Sequence, residues 1–352
     1  MRHLLDIVDL SEQEIYSLIE KAQDIMQRPT KYQDVLRYRK VATLFFEPST
    51  RTRLSFEAAA MELGANVIGF QSAAASSTAK GESIGDTVRT VSNYADIIVM
   101  RHPVEGAPYA AVLDSEVPII NAGDGGHNHP TQTLADLLTI YRRKETFDGL
   151  TIGVCGDLKY GRTVHSLLRA MSRYQNVRFV CISPKELRLP EYMTEFLRDK
   201  RIDYTETVDM EEYMSELDVL YMTRVQRERF DDKNEYERLK DSYILSESKL
   251  TTARADMCIL HPLPRVNEIA KEVDMDKRAA YFEQVKNGKY MRMALILFLL
   301  DHRNDPTQFV SLDHTADRCR NPKCILQFES ALPGLTRTIG TKKRCYYCES
   351  LI

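Results

Sequence analysis

The chain has 352 residues, 43% of them hydrophobic and 28% charged, proportions typical of globular proteins and a length that predicts about two domains. Its net charge of −3 excludes a general electrostatic attraction to nucleic acid or to an acidic membrane surface. No run approaches the roughly 18 apolar residues of a membrane span and the start lacks a signal-peptide pattern, so we expect a cytoplasmic protein with no membrane or nucleic-acid partner.

Helical and extended patterns alternate along the chain. Residues Ser11 to Gln27 form an amphipathic helical pattern, with Ser11 and Glu14 in capping-box positions. The run 41–46 predicts a buried strand, and apolar residues near helical spacing follow it at 54–63. Short apolar runs predict seven further strands, at 66–70, 97–100, 118–120, 151–155, 178–182, 219–222 and 257–260. The last long helix is predicted at 281–302.

This alternation indicates parallel sheets that are covered by helices on both faces. We predict an α/β fold with two doubly wound parallel-sheet domains, at residues 1–135 and 136–285. A C-terminal helix at 286–304 is expected to pack back on the first domain. After residue 304 the sequence changes to short segments that contain Pro, Thr and Cys. Residues 305–352 are therefore predicted to form a small, separate zinc ribbon-like module.

The stretch Phe45 to Arg53 has the sequence FFEPSTRTR and lies between a predicted strand and a predicted helix. A strand-to-helix turn directs backbone N–H groups and the positive end of the helix dipole at one spot, which favours an anion. Its hydroxyl and guanidinium groups add hydrogen bonds that suit phosphate or carboxylate oxygens. We interpret the stretch as a phosphate-binding turn. The residues leave one alternative open, a Ser or Thr helix cap followed by solvated arginines.

The residues just beyond each predicted strand are candidate site residues, because ligands of open parallel sheets bind at the carboxyl ends of the strands. Most of these segments contain arginine and several contain histidine, so a cationic cleft for a substrate with phosphate and carboxylate groups is predicted. Singly, each could be a surface arginine or a structural histidine; their recurrence across six loops favours a shared site. Residues 71–81, rich in Ser and Ala and containing Lys80, predict a mobile loop.

Three motifs in chain order carry a family resemblance. Ser49 to Arg53 (STRTR), His129 to Gln132 (HPTQ) and His261 to Arg265 (HPLPR) resemble the carbamoyltransferases. Residues Met222 to Gln226 (MTRVQ) and the HPLPR form are similar to the aspartate branch, the aspartate carbamoyltransferases, since the ornithine branch would carry cysteine in place of Pro262. The resemblance covers roughly residues 1 to 304.

The resemblance implies a reaction and a use for each domain. The carbamoyl group of carbamoyl phosphate would pass to the amine of L-aspartate, giving N-carbamoyl-L-aspartate and phosphate in de novo pyrimidine biosynthesis. The domain at 1–135 would bind carbamoyl phosphate and the domain at 136–285 would bind aspartate. No metal is implied in the active site, and the catalytic unit would be a homotrimer with shared sites, with possible higher assembly.

The resemblance also implies roles for individual residues. Those implied to hold the phosphate are Ser49, Thr50, Arg51 and Thr52. Those implied to hydrogen-bond to the carbamoyl oxygen are Thr52, Arg101 and His129, and Gln132 would contact the carbamoyl nitrogen. The aspartate carboxylates would be held by Arg162, Arg224 and Gln226. The backbone carbonyls of Pro262 and Leu263 would touch the amine and amide side, with a cis bond before Pro264. Ser76 and Lys80 would reach into a neighbouring subunit's site. The implied catalytic residues are Thr52, Lys80, Arg101 and His129.

Four of the seven cysteines lie in two close pairs near the end of the chain, Cys319 with Cys324 and Cys345 with Cys348. This C-x4-C and C-x2-C spacing predicts a structural Zn²⁺ site with four thiolate ligands, and two disulfides or reactive thiols are the alternative. The module resembles the zinc domain of the family's regulatory chain, and we expect it to brace subunit contacts. The other three cysteines lie in strand-like runs and are predicted to be buried core residues: Cys155, Cys181 and Cys258.

Two other functions remain open. One is a carbamoyltransferase for a different amino acid or amine, which the Arg224 loop disfavours because it suits a second carboxylate. The other is a non-catalytic zinc-containing scaffold or a binder of single-stranded nucleic acid, since Lys342, Lys343 and Arg344 lie beside Tyr346 and Tyr347. A scaffold gives no reason for six loops to share the same cationic composition.

Overall fold

The computed structural model describes residues 1–72, 81–225, 234, 237–238, 243–306, 312–339 and 342–352. The chain forms two compact units, one of Met1–Thr131 with Gly288–Ile352 and the other of Gln132–Asn287. Each unit contains its own parallel β-sheet. Within the described ranges, no helix combines the length and the apolar character that crossing a membrane requires.

The first unit is built on a four-stranded parallel sheet with the strand order β2-β1-β3-β4. Its strands are β1 (Lys40–Phe45), β2 (Asn66–Phe70), β3 (Ile97–His102) and β4 (Ile119–Asp124). The helices in this part of the chain are α1 (Glu12–Gln27), α2 (Thr50–Glu62), α3 (Ile84–Ser92), α4 (Ala107–Ala111) and α5 (Pro130–Lys144). The predicted capping box of Ser11 and Glu14 is confirmed at the start of α1.

The second unit is built on a five-stranded parallel sheet with the strand order β7-β6-β5-β8-β9. Its strands are β5 (Thr151–Cys155), β6 (Arg178–Ile182), β7 (Asp203–Thr207), β8 (Val219–Met222) and β9 (Cys258–Leu260). Further helices are α6 (Arg162–Met171), α7 (Glu191–Asp199) and α8 (Tyr281–Asp301). The predicted α/β fold class with two parallel-sheet domains is confirmed.

Several predicted boundaries need correction. Helix α2 begins at Thr50, so the STRTR motif forms its first turn and does not precede the helix. Strand β3 continues through His102 and β4 through Asp124, because these residues pair with each other across the sheet. Strand β7 was not predicted, since Asp203–Thr207 is an outermost strand of the sheet whose residues are polar except for Tyr204, and it has no apolar run.

The C-terminal residues 312–339 and 342–352, termed here the cysteine module, form an antiparallel sheet of β10 (Asp313–His314), β11 (Leu335–Ile339) and β12 (Lys342–Cys345). The module packs against the parallel-sheet part of the first unit. Its Ile325 and Tyr347 belong to the same buried cluster as Leu44 and Ala110. Gly106 permits this approach, since a Cβ there would lie 2.6 Å from the Cβ of Tyr347, and its φ is +83°. The module therefore shares the core of the first unit.

The second half of α8 returns to the first unit and contacts α2. The Arg292 side chain donates to the Ser55 hydroxyl at 3.0 Å and lies over the Phe56 ring at 5.1 Å. Lys289 pairs with Glu62 at 2.6 Å. These contacts attach the C-terminal helix to the helix that begins with the STRTR motif.

Candidate active site and metal centre

Strand order brings three predicted loops to one edge of the first sheet. Strand β1 lies between β2 and β3, and β3 pairs with β4, so the carboxyl ends of β1, β3 and β4 are adjacent. Phe45 is paired with Arg101, and the Phe46 N–H donates to the Arg101 carbonyl at 2.9 Å. The STRTR turn and the segment leading to His129 therefore follow β1 and β4, the two strands on either side of β3, which contains Arg101.

The STRTR turn presents its polar groups at the N-terminus of α2. Ser49 is the N-cap residue, but its side chain makes no capping hydrogen bond, which disfavours the cap alternative. Thr52 is buried, whereas Thr50 and Arg51 are exposed. Arg53 pairs with Glu57 one helical turn away at 3.2 Å. The backbone N–H groups of this first turn form a place for an anion.

Arg101 is held by a residue that sequence reasoning missed. Its Nε donates to Oε1 of Glu47 at 3.1 Å, its Nη2 contacts the same oxygen, and its Nη1 lies 3.5 Å from the Ala122 carbonyl oxygen. The prediction of a cationic cleft overlooked the carboxylate of Glu47, although it stands inside the FFEPSTRTR stretch. A carboxylate two residues before Ser49 is the signal that could have identified it.

The turn between β4 and α5 carries His129, which is 95% buried, with its Nδ1 3.4 Å from the Thr131 hydroxyl. This turn is organised by Asp124, which has no solvent exposure. Asp124 accepts from the N–H groups of Gly106 and Asn128, both at 2.9 Å, and contacts His127 Nδ1 at 2.9 Å. Neither Asp124 nor His127 belongs to a motif that carries the family resemblance, and their three-residue spacing was the local signal for the pair.

Two histidines near the carboxyl ends of these strands have pKa values that are shifted in opposite directions. Burial lowers the pKa of His102 to about 4, and its Nδ1 accepts from the Val104 N–H at 3.1 Å, so the ring is neutral. Burial also acts to lower the pKa of His127, but the Asp124 and Glu349 carboxylates outweigh it and raise that pKa well above its ordinary value. The two carboxylates therefore favour the protonated form of His127, beside the turn that carries His129.

In the second unit, β5, β8 and β9 are adjacent and bring three further predicted segments to one edge. Arg162 begins α6, and Arg224 lies two residues after the end of β8; both are partly exposed. Hydrogen bonds connect the segment after β5 to the segment after β8. The Asp157 N–H donates to the Thr223 hydroxyl at 3.0 Å, and the Thr223 N–H donates to the Cys155 carbonyl at 2.8 Å.

The HPLPR segment follows β9. The bond between Leu263 and Pro264 is cis, as predicted. His261 is buried and its Nε2 contacts Glu268 at 2.7 Å, while its Nδ1 accepts from the Leu263 N–H at 2.7 Å. Arg265 forms an ion pair with Asp274, at 2.5 Å between Nη2 and Oδ2. His261 and Arg265 therefore support the loop, and Pro262 and Leu263 are the partly exposed residues at its tip.

The remaining predicted site residues are Gln132, Ser76, Lys80 and Gln226. The Gln132 amide donates to Asp136 one turn along α5 at 2.8 Å. Ser76, Lys80 and Gln226 lie outside the described residues.

The four C-terminal cysteines form a buried cluster. Their sulfurs all lie within 4.8 Å of one another, with 3.6 Å between Cys319 and Cys348 and 3.8 Å between Cys324 and Cys345. All four are free thiols at distances far beyond the ~2.0 Å of a disulfide. A tetrahedron with Zn–S bonds of about 2.3 Å has S–S edges of about 3.8 Å. The cluster therefore fits a four-thiolate metal site. Cys155, Cys181 and Cys258 are buried core residues, as predicted.

The chain belongs to the aspartate/ornithine carbamoyltransferase family. Residues 2–142 match the family model described as the aspartate/ornithine carbamoyltransferase carbamoyl-P binding domain, and residues 148–299 match the Asp/Orn binding domain of the same family. The cysteine module lies beyond both matches.

Relatives narrow the likeness to the aspartate branch. The aspartate carbamoyltransferase catalytic subunit of Clostridium novyi is 56% identical over 299 residues, which are 85% of this chain and 98% of that protein. The catalytic subunit of Lachnoclostridium phytofermentans is 57% identical over 302 residues, or 86% of this chain and 98% of that protein.

Solved structures agree with this likeness. The catalytic subunit of M. jannaschii aspartate transcarbamoylase has a TM-score of 0.81 at 46% identity, with 87% of this chain and all of that chain covered. Aspartate transcarbamoylase from Trypanosoma cruzi, in complex with carbamoyl phosphate and aspartate, has a TM-score of 0.79 at 37% identity, with 84% and 95% covered.

Proposed function

We propose that this chain transfers the carbamoyl group of carbamoyl phosphate to the amine of L-aspartate, giving N-carbamoyl-L-aspartate and phosphate for pyrimidine biosynthesis. The observation that carries the proposal is the strand order β2-β1-β3-β4, which brings the STRTR turn, Arg101 and the His129 segment to one sheet edge. Relatives at 56–57% identity are named aspartate carbamoyltransferase catalytic subunits, which supports aspartate as the acceptor.

The first unit is proposed to hold carbamoyl phosphate. Its phosphate would occupy the N-terminus of α2, within reach of backbone N–H groups and of Ser49, Thr50, Arg51 and Thr52. Arg101 and His129, together with Thr52, would donate to the carbamoyl oxygen. The family resemblance also assigns Gln132 to this substrate, as a residue that would contact the carbamoyl nitrogen.

The chemistry needs donors more than it needs a base. When the aspartate amine attacks the carbamoyl carbon, negative charge grows on the carbonyl oxygen, and one donor aimed at such an oxygen contributes about 3–4 kcal/mol. The leaving phosphate takes up the proton that the amine loses, so no strong protein base is required. A donor-rich edge of arginine, histidine and hydroxyl groups matches this requirement.

The second unit is proposed to hold aspartate. Two arginines suit two carboxylates, because each guanidinium offers a planar pair of N–H donors. Arg162 and Arg224 are the assigned residues, with Gln226 as a third, and the carbonyls of Pro262 and Leu263 would accept from the amine. The proposed domain limits remain 1–135 for carbamoyl phosphate, 136–285 for aspartate, 286–304 for the returning helix and 305–352 for the metal module.

The proposed assembly is a homotrimer in which Ser76 and Lys80 complete the site of a neighbouring subunit. A mixture of Lys80→Ala and His129→Ala subunits tests this assignment. Each variant alone should be nearly inactive, and hybrid trimers should regain activity, because some sites then receive an intact residue from each subunit. Hybrids that stay inactive would mean that the sites are not shared.

The ion proposed for the cysteine module is Zn²⁺, in a structural role. Four buried thiols at tetrahedral spacing favour it, and no active-site metal is proposed. Such thiols stay available in a reducing compartment, so the cytoplasm is the proposed location.

A product assay tests the reaction. Purified protein receives carbamoyl phosphate with either L-aspartate or L-ornithine, and the carbamoylated product and released phosphate are measured. We expect N-carbamoyl-L-aspartate with stoichiometric phosphate, and at most trace citrulline. Product with ornithine or another amine would identify a different carbamoyltransferase, and no product with any amine would favour the scaffold alternative.

A further inference from the structure

The cysteine module contacts the first unit at the turn that leads to His129. Oε2 of Glu349 lies 3.8 Å from Nε2 of His127. Glu349 directly follows Cys348, one of the four clustered cysteines, and His127 stands two residues before His129. Glu349, next to the candidate metal site, therefore contacts His127, which lies close in sequence to His129, the proposed donor to the carbamoyl oxygen.

His127 lies between two carboxylates that come from different parts of the chain. Its Nδ1 contacts Asp124 at 2.9 Å, and its Nε2 faces Glu349. Asp124 is fully buried, and the side chains of His127 and Glu349 are only 8% and 9% exposed. Solvent screens such a buried arrangement weakly, so the attraction between the imidazole and the two carboxylates is little reduced by salt.

Glu349 is itself held from the module side. Arg337 on β11 forms an ion pair with Glu349, and the guanidinium lies 5.7 Å from the Tyr109 ring centroid. The Tyr109 ring is also 5.7 Å from that of His127, and its hydroxyl accepts from the Asn128 side-chain amide at 3.3 Å. The contacts from the module to residues 127–128 are thus continuous and buried.

We propose that Glu349 is a positioning residue for His129: it holds the imidazole of His127 against Asp124 and so orients the turn from Asp124 to His129. The inference rests on the proposed function, in which His129 donates to the carbamoyl oxygen. The module then contributes to turnover as well as to folding. It would act through its own carboxylate, in a segment that lies beyond the family matches.

The decisive variant is Glu349→Gln, because it removes the charge and keeps the side-chain size. We expect kcat to fall about tenfold, since small displacements of a reacting group lower turnover strongly. The dissociation constant for inorganic phosphate, measured by calorimetry, should change less than about twofold, because the phosphate is assigned to the STRTR turn on another strand. The matched control is Asp313→Asn, a module carboxylate that pairs with Lys343 at 3.9 Å on the exposed surface; it should leave both values unchanged.

A second variant removes the other end of the contact. His127→Gln should lower kcat to a similar degree, and the double variant should be no worse than the more severe single variant, since both break one chain of contacts. If Glu349→Gln fails to fold, His127→Gln is measured alone against the same expectations. Equal kcat in Glu349→Gln and Asp313→Asn, additive losses in the double variant, or a parallel loss of phosphate binding would each overturn the inference.

The test separates this inference from the proposed function. Absence of carbamoyl transfer by the unmodified chain refutes the proposed function. In that case, the imidazole NMR signals of His129 in the full chain test whether Glu349 positions His129. These signals should shift in Glu349→Gln and stay in place in Asp313→Asn; unchanged His129 signals in Glu349→Gln would overturn the inference.

Discussion

The guanidinium group of Arg101 is fixed by the carboxylate of Glu47, with 3.1 Å between Nε and Oε1 and a second contact from Nη2 to the same oxygen. The pair is partly shielded from water, since the Arg101 side chain is 11% exposed and that of Glu47 is 30% exposed. Glu47 precedes Ser49 by two residues, so one short segment supplies both the STRTR turn, which is proposed to bind phosphate, and the carboxylate that orients an arginine of the neighbouring strand.

Glu47→Gln should lower kcat/KM for carbamoyl phosphate about tenfold, because a neutral amide holds the guanidinium less firmly and Arg101 then adopts several orientations. Steady-state kinetics at saturating aspartate measures the effect. Asp96→Asn is the matched control, since Asp96 pairs with Arg39 at 2.7 Å before the start of β1. Similar kinetics for the two variants would show that the Glu47 contact does not serve the site.

Arg51 and Arg53 allow a comparison within a single helical turn. Arg51→Ala should reduce kcat/KM by at least about 100-fold, since it removes a proposed phosphate donor whose charge the turn cannot replace. Arg53→Ala should change kcat/KM only a few-fold, because Arg53 pairs with Glu57 on the helix surface at 3.2 Å. Circular dichroism should show intact helix in both. Equal losses in the two variants would remove the distinction between them.

The cysteine cluster should contribute to the stability of the first unit, since its sulfurs lie in the buried cluster that includes Leu44 and Met100. Cys345→Ser should abolish metal binding and lower the melting temperature by several degrees, because metal binding supplies folding free energy to a small module. Elemental analysis and thermal unfolding measure both effects. Cys258→Ser, in the second unit, should retain the full metal content. Metal retained in Cys345→Ser would exclude that thiol as a ligand.

His165 should make stability depend on pH. It is buried in the second unit, its Nε2 contacts the Leu158 carbonyl at 2.7 Å, and burial lowers the pKa of the imidazole to about 4. The unfolded chain, with a His pKa near 6.5, binds more protons than the folded one between these values. The contribution of His165 to the free energy of unfolding should therefore be largest above pH 6.5 and fall by about 3 kcal/mol as the pH approaches 4.

Melting temperatures of the unmodified chain and of His165→Gln, taken at intervals from pH 7.5 to 4.5, measure this contribution. The variant should be less stable at pH 7.5, where its hydrogen bonds are altered, and should lose less stability on acidification. Parallel curves for the two proteins would show that His165 does not titrate in this window.

The sequence by itself determined the features that depend on neighbours in the chain. The capping box of Ser11 and the strand-to-helix turn at the STRTR motif are local, since each depends on a few consecutive residues. The cis bond before Pro264 was implied by the family resemblance. The spacing of the cysteine pairs likewise predicted the cluster. Apolar runs predicted the buried strands, but the polar edge strand β7 has no such run and was missed.

Only the tertiary structure decided which distant segments meet. The order β2-β1-β3-β4 places Arg101 beside the turn that contains Ser49, and no local pattern specifies that order. The contacts of Glu47 with Arg101 and of Glu349 with His127 join residues 54 and 222 positions apart in the sequence. Such contacts follow from strand pairing and from the burial of the cysteine module against the first unit, because packing selects partners by shape and charge and not by distance along the chain.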